Sequence, residues 1–189
     1  MARRRYLAGA SYVYNWTSIA GALEGVLRYL GHGYGTAYLM GITGHAFRLD
    51  VSAGDPPIGP EGPLSIDFQV AASIYSRLGR SFTLLSASKG DRDYQKVRQQ
   101  TLEEIKRSID RGVPAIAFDL FLPEFGVVKG YDDGRHALLV DTVLTPQTGE
   151  VLPYDRWPSS EDVGLVCALI ASAKASPPDL ATAEREARI

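Results

Sequence analysis

Two kinds of hydrophobic spacing divide the chain into an early helical part and a later strand-rich part. Between residues 18 and 30 the apolar side chains recur every three or four positions, as on one face of a helix; they are Ile19, Ala22, Leu23, Val26, Leu27 and Leu30. Residues 65–78 and 91–111 have the same spacing and are followed by Gly79 and Gly112, which suit the ends of helices. We therefore predict three helices.

Glycine and proline mark special places in this pattern. Gly21 and Gly25 lie inside the first predicted helix, where each costs about 1 kcal/mol relative to alanine. We expect another backbone to pack closely against that side. Residues 33–50 favour a short helix and tight turns, and the proline-rich residues 54–63 favour a surface loop because proline lacks the amide donor.

Short segments rich in β-branched and aromatic residues predict strands at 81–87, 113–119, 125–132, 136–142 and 163–171. Asp133 and Gly134 carry the signal of a tight hairpin turn. Helices first and strands later predict an α+β fold over residues 1–172, with N-terminal helices packed on a C-terminal antiparallel β-sheet. For residues 173–189 we expect a polar helical tail that packs on a partner or begins a further region.

Composition narrows the classes of protein and partner. The 189 residues are 45% hydrophobic and 22% charged, which is ordinary for a globular protein, and the net charge is −2. No basic stripe extends beyond Arg3, Arg4 and Arg5, which we interpret as a solvated tail, so no nucleic-acid partner is expected. Neither a long apolar run nor a secretory signal is present, and we expect a cytoplasmic protein without a membrane partner.

The sequence offers little for metals or cofactors. Cys167 is the single cysteine and lies in an apolar run, which is typical of a small buried hydrophobe. No cluster of histidine and carboxylate residues has metal-ligand spacing, and no glycine-rich segment carries the Lys-Ser/Thr of a phosphate loop. We expect neither metal nor cofactor.

Two stretches resemble a known family. "TSIAGALEGVLRYLG" at residues 17–31 and "LMGITGHAFRLD" at 39–50 are similar to the N-terminal domain of butirosin-type aminoglycoside acyltransferases, which is related to bacteriocin-processing peptidases. The resemblance covers about residues 11–170 and implies a papain-like fold. In the peptidases a Cys-Gly-Pro turn begins the helix, and a Gly-His pair starts the strand before Gly-Tyr-Asp.

Matched to that family, three positions form the candidate catalytic site. Ser18 falls where the family has its cysteine, Glu124 where it has its histidine, and Asp141 where it has the acid that orients the histidine. Only Asp141 keeps the expected chemistry. A serine needs a general base, and Glu124 could serve only if burial or Asp141 raised its pKa. For Ser18 the favoured interpretation is a helix N-cap.

Four further residues are candidates for ligand binding. Asn15 could donate to an oxyanion or cap the turn, and Trp16 could wall a pocket or staple the start of the helix. His45 lies in a glycine-flanked turn near Arg48, a cation suited to an anionic ligand, although a structural role for His45 is favoured.

These observations leave three hypotheses. The leading one is a binding or accessory domain with a papain-like fold, without the thiol catalytic machinery, whose cleft takes a small-molecule or peptide-like polar ligand. The alternative is an acyltransferase or amidohydrolase that uses Ser18 or a water activated by Glu124. The third is an interaction module that docks through its C-terminal helix. Association with further copies of the same chain, as a homo-oligomer, also remains open.

Overall fold

The computed structural model describes residues 3–47, 66–145 and 149–186. Within them lie five α-helices, α1 (Ser18–Tyr29), α2 (Thr36–Ile42), α3 (Phe68–Ser76), α4 (Tyr94–Asp110) and α5 (Leu180–Glu186). The strands are β1 (Arg4–Tyr6), β2 (Phe82–Ser88), β3 (Ala115–Phe118), β4 (Phe125–Asp132), β5 (Ala137–Asp141), β6 (Glu150–Pro153) and β7 (Leu165–Ala171). The predicted α+β fold is confirmed. The three helices predicted from apolar spacing are also present, as α1, α3 and α4. The predicted loop 54–63 lies outside the described residues.

The strands form one antiparallel sheet in the order β2-β7-β3-β4-β5-β6. The predicted hairpin is the β4–β5 connection, with Asp132 opposite Ala137. The short strand β6 was missed. The prediction of a solvated N-terminal tail was wrong, because Arg4–Tyr6 pair with β4. Arg3 also forms ion pairs with Asp110 and Asp133, both at 3.5 Å.

Alternation along the strands gives the sheet two apolar faces. In β3, Ile116 and Phe118 join the core cluster that contains α1, α2 and α3, whereas Ala115 and Ala117 join the cluster that contains α4. Successive side chains on a strand point to opposite faces, so a strand with four buried residues needs a helix layer on each side. No helix in the described residues is long and apolar enough to cross a membrane.

The helix α5 packs on the same domain. Its Ala183 is fully buried within the core cluster of α1, α2 and α3. The chain is tied there before the helix begins, since Asp179 N donates to Arg77 O at 2.8 Å and Ser176 N donates to Gly79 O at 2.9 Å. Ala183 and the partly buried Leu180 together seat this short polar helix, whose preceding turn is already held.

The close approach expected at Gly21 and Gly25 is confirmed. A Cβ at Gly21 would lie 2.3 Å from the carbonyl oxygen of Val13, and one at Gly25 would lie 2.0 Å from that of Ser11. The segment before α1 therefore lies directly against the helix backbone. This contact holds the residues that lead into the first turn of α1.

The stability of this contact can be tested with alanine. Gly25→Ala is expected to lower the free energy of unfolding by about 1–3 kcal/mol, because the added methyl forces the Ser11 backbone away. Gly41→Ala, inside α2 with no atom within 4 Å of the added Cβ, is the matched control. It is expected to raise stability by about 0.5–1 kcal/mol through helix propensity. Equal effects of the two substitutions in chemical denaturation would contradict the close approach.

Candidate functional site at the start of α1

Thr17, not Ser18, caps α1. The backbone of Thr17 is extended (φ −126°, ψ 144°), and its side chain accepts from the Ala20 N–H at 3.4 Å. Ser18 is the first helical residue, so the prediction that Ser18 is the N-cap was wrong by one position. Because the cap is supplied by its neighbour, the Ser18 hydroxyl is available for other contacts.

The hydroxyl of Ser18 is bound to the start of β4. Its Oγ donates to Oε2 of Glu124 in a short hydrogen bond. The same Oγ accepts from the Phe125 N–H at 3.1 Å. The two residues that the family resemblance brought together are therefore in direct contact.

Glu124 reaches Ser18 because the loop between β3 and β4 is bent and tightly held. Asp119 and Phe121 have positive φ values of 60° and 79°. The Asp119 N–H donates to the Glu124 carbonyl at 2.9 Å, which closes the loop. The buried carboxylate of Asp119 accepts from Ser159 Oγ at 2.7 Å and from Ser160 N at 2.8 Å. Asp119 was not identified from the sequence, although aspartate tolerates a left-handed backbone better than most residues.

Asp141 is held by a cation. Its Oδ1 lies 2.5 Å from Nζ of Lys129, and both side chains are buried. The positive charge of Lys129 offsets the negative charge of Asp141, so Asp141 does not face its surroundings as an isolated anion. The expectation that Asp141 supports a base at Glu124 therefore lacks its physical cause. The sequence signal for Lys129 was a lysine that follows three apolar positions of β4 and precedes Gly130 and Tyr131.

The three histidines are engaged elsewhere. His45 lies 2.7 Å from the Tyr75 hydroxyl, and His32 accepts from Arg80 Nε at 3.1 Å. The ring of His136 packs edge-on against Tyr154 at 6.3 Å between centroids. Within the described residues, the hydrogen bonds of Ser18 and Glu124 involve no histidine. The structural interpretation of His45 is thus the better supported one, and Arg48 lies outside the described residues.

Asn15 fixes the loop before α1. Its Oδ1 accepts from the Trp16 N–H at 2.7 Å, and its Nδ2 donates to Oε2 of Glu24 at 3.2 Å. Glu24 is itself buried and also accepts from Thr36 Oγ1 at 2.7 Å. Of the two interpretations of Asn15, turn capping is the one that these bonds favour. Glu24 was missed, although it is the one charged residue in the run from Ile19 to Leu27.

Two aromatic side chains project from the same loop. Trp16 is 89% exposed and Tyr14 is 74% exposed, so Trp16 neither staples the helix nor forms a closed pocket wall. In contrast, Tyr12 is buried with its hydroxyl against Gly21. Burial, and after it the charge of Glu124, raises the pKa of Tyr12 to about 12, which keeps the phenol neutral.

Comparison with known proteins adds no family assignment: no protein-family model and no curated protein matches the chain. Among the described residues, no group of three histidine, cysteine or carboxylate side chains is arranged to hold a metal ion. The chemical meaning of the site therefore rests on its own geometry.

The reactivity of Cys167, the single cysteine, can be measured directly. Burial raises the pKa of Cys167 to about 12, so the reactive thiolate is scarce near neutral pH. We expect the native chain not to react with an aromatic disulfide reagent at pH 8, and the chain unfolded in guanidinium to react fully. Rapid labelling of the native chain at a rate independent of denaturant would contradict this placement.

Proposed function

We propose that this chain is a binding or accessory domain with a papain-like fold, and that it works without the thiol catalytic machinery of the peptidases it resembles. The observation that carries the proposal is the engagement of Ser18 from both sides. Its hydroxyl donates a hydrogen bond to Glu124, and the same oxygen accepts a hydrogen bond from the Phe125 N–H at 3.1 Å. The Ser18–Glu124 pair acts as a latch that fastens α1 to β4.

The charges around the latch support a structural role for it. In the peptidase mechanism an imidazole moves a proton from the nucleophile to the leaving group. Here the matched position is a glutamate, and the acid expected behind it is bound to Lys129 at 2.5 Å. A carboxylate cannot take the part of imidazolium in activating the helix-terminal residue. With glutamate in place of histidine, the contact between α1 and β4 is kept, but the proton transfer that an imidazole performs is lost.

The ligand we propose is small and polar, and it binds beside the latch. Trp16 and Tyr14 offer exposed aromatic faces on the loop that leads into α1. Glu124 is partly exposed and is bonded to Ser18, two residues beyond Trp16 in the chain. Aromatic faces together with a carboxylate favour a ligand that carries hydrogen-bond donors.

The alternative is an enzyme of the acyl-transfer or amide-hydrolysis class. One observation favours it: a serine hydroxyl donating to a carboxylate is the contact that a nucleophile makes with a general base. Under this alternative Glu124 would take the Ser18 proton as Oγ attacks an acyl carbon, or would take a proton from water. In the first form Ser18 becomes covalently bound to the acyl group, whereas in the second form and in the binding proposal it does not.

A fluorophosphonate probe separates the binding proposal from an enzyme that uses Ser18 as its nucleophile. In a reactive serine, Oγ bonds to phosphorus and fluoride leaves, which gives a stable adduct that intact-protein mass spectrometry detects. We expect no adduct on the wild-type chain, because the hydroxyl is committed to the latch. A stable adduct on Ser18 that is absent from Ser18→Ala would contradict the binding proposal and support the alternative.

The binding site itself can be tested through tryptophan fluorescence. Trp16 is 89% exposed and Trp157 is 1% exposed, so Trp16→Phe removes the solvent-facing signal and leaves the buried one. In a screen of small sugars, amines and carboxylates, we expect at least one compound to shift the wild-type emission but not that of Trp16→Phe. Glu124→Gln should weaken that response. Equal responses from the wild type and Trp16→Phe would contradict a site beside Trp16.

A further inference from the structure

Arg80 connects the end of α1 to the segment that follows β7. Its Nη2 donates to the Leu30 carbonyl at 3.1 Å. Its Nη1 donates to the Ser172 carbonyl at 3.4 Å and, in a shorter bond, to the Ala173 carbonyl. The guanidinium therefore holds the beginning of the C-terminal segment, which we define as residues 172–179, against the end of α1.

The C-terminal segment leads into α5, and the turn before Arg80 fastens it at two further points. Ser176 N donates to Gly79 O at 2.9 Å, and Asp179 N donates to Arg77 O at 2.8 Å. The three attachments follow one another along the segment and use neighbouring residues of the turn. A change in the position of Arg80 therefore acts on the whole attachment of this segment.

The position of Arg80 depends in turn on a histidine. Arg80 Nε donates to Nε2 of His32 at 3.1 Å. Nε2 can accept this bond only while it carries no proton, so the contact requires a neutral His32 with its proton on Nδ1. The His32 ring also lies directly against the turn, because a Cβ added at Gly79 would be 2.6 Å from Cε1 of His32.

The groups around His32 disfavour a positive charge on its ring. Burial, and after it the charge of Arg80, lowers the pKa of His32. Tyr34 stacks with His32 at 6.1 Å between centroids, and burial raises the pKa of this tyrosine, which keeps it neutral. The carbonyl end of α1 attracts cations, but Arg80 already binds there. Arg28, in the last turn of α1, pairs with Glu24 at 2.6 Å.

We propose that His32 is a pH-sensitive switch that fastens the C-terminal segment at neutral pH and loosens it in acid. Neutral His32 accepts from Arg80 and holds the guanidinium at the turn. A proton on Nε2 leaves two donors facing each other, so the bond between His32 and Arg80 is lost. Arg80 then holds the segment less tightly, and α5 is less firmly seated on the core.

The direction of the pH dependence follows from proton linkage. The loosened state has a His32 with the ordinary pKa of about 6.5, whereas the fastened state has a lowered one. The loosened state therefore binds the proton more readily. The attachment is complete above about pH 6.5 and is lost progressively as the pH falls toward the lowered pKa of His32.

Hydrogen exchange of the full chain, followed by NMR at pH 7.5 and pH 5.5, tests the proposal. After correction for the intrinsic exchange rate, we expect the protection of the Ser176 and Asp179 amides to fall severalfold at the lower pH. Amides in the middle of β7 should keep their protection, which separates local loosening from global unfolding. The Cε1–H signal of His32 should titrate with the same midpoint as the loss of protection.

Two histidine variants complete the test. His32→Gln offers a side-chain carbonyl to Arg80 and does not titrate, so the protection of the segment should be equal at both pH values. His136→Asn is the matched control and should keep the wild-type response, because asparagine tolerates the φ of 50° at that position.

Three results would overturn the proposal. They are equal protection of the Ser176 and Asp179 amides at both pH values in the wild type, a His32 titration whose midpoint differs from that of the loss of protection, and a wild-type pH response in folded His32→Gln. The first two need no variant, so the test does not depend on how His32→Gln folds. None of these results bears on Ser18, and this inference stands or fails separately from the proposed function.

Discussion

The arrangement of the site depends on one hydrogen bond between elements that are far apart in the sequence. Ser18 begins α1 and Glu124 immediately precedes β4, and the bond between their side chains joins the helix to the central strand that it packs against. This bond is possible because Thr17 provides the cap, which leaves the next hydroxyl free. The Phe125 N–H adds a second contact to the same oxygen. The first turn of α1 is therefore held both by its own cap and by the sheet.

Buried carboxylates hold the segments that surround this bond. Asp119 binds the Ser159–Ser160 segment and so holds the loop that presents Glu124. Glu24 binds Asn15 and Thr36 and so connects the loop before α1 to the start of α2. Asp141 pairs with Lys129 within the sheet. Each of these buried carboxylates has partners, as the cost of burying an unpaired charge requires. Glu24 also pairs with Arg28 of its own helix at 2.6 Å, and its other partners, like those of Asp119 and Asp141, lie on different elements or loops.

Regular spacing predicted most of the fold from the sequence. The helices α1, α3 and α4 and the longer strands each bury one face or two, so their periodicity is strong. The strands β1 (RRY) and β6 (EVLP) are short and carry few apolar residues, in contrast to the equally short but fully apolar β3 (AIAF), and β1 was mistaken for a solvated tail. The pairing of β1 with β4 is a tertiary contact, which no local sequence pattern predicts.

The site was predicted only in part. Family resemblance brought Ser18 and Glu124 together, and no periodicity would have done so. The roles of these residues were not predicted correctly. The helix cap is Thr17 and not Ser18, and Asp141 pairs with Lys129. Choice of a buried ionic partner is decided by which side chains the folded sheet places within about 4 Å, which is not encoded locally.

The most direct test of the latch is a double-mutant cycle on Ser18→Ala and Glu124→Gln, with the free energy of unfolding measured by chemical denaturation for all four proteins. A hydrogen bond to a carboxylate predicts a coupling free energy of about 1.5–3 kcal/mol between the two substitutions. Effects that add to within about 0.5 kcal/mol would contradict the claim that this bond fastens α1 to β4.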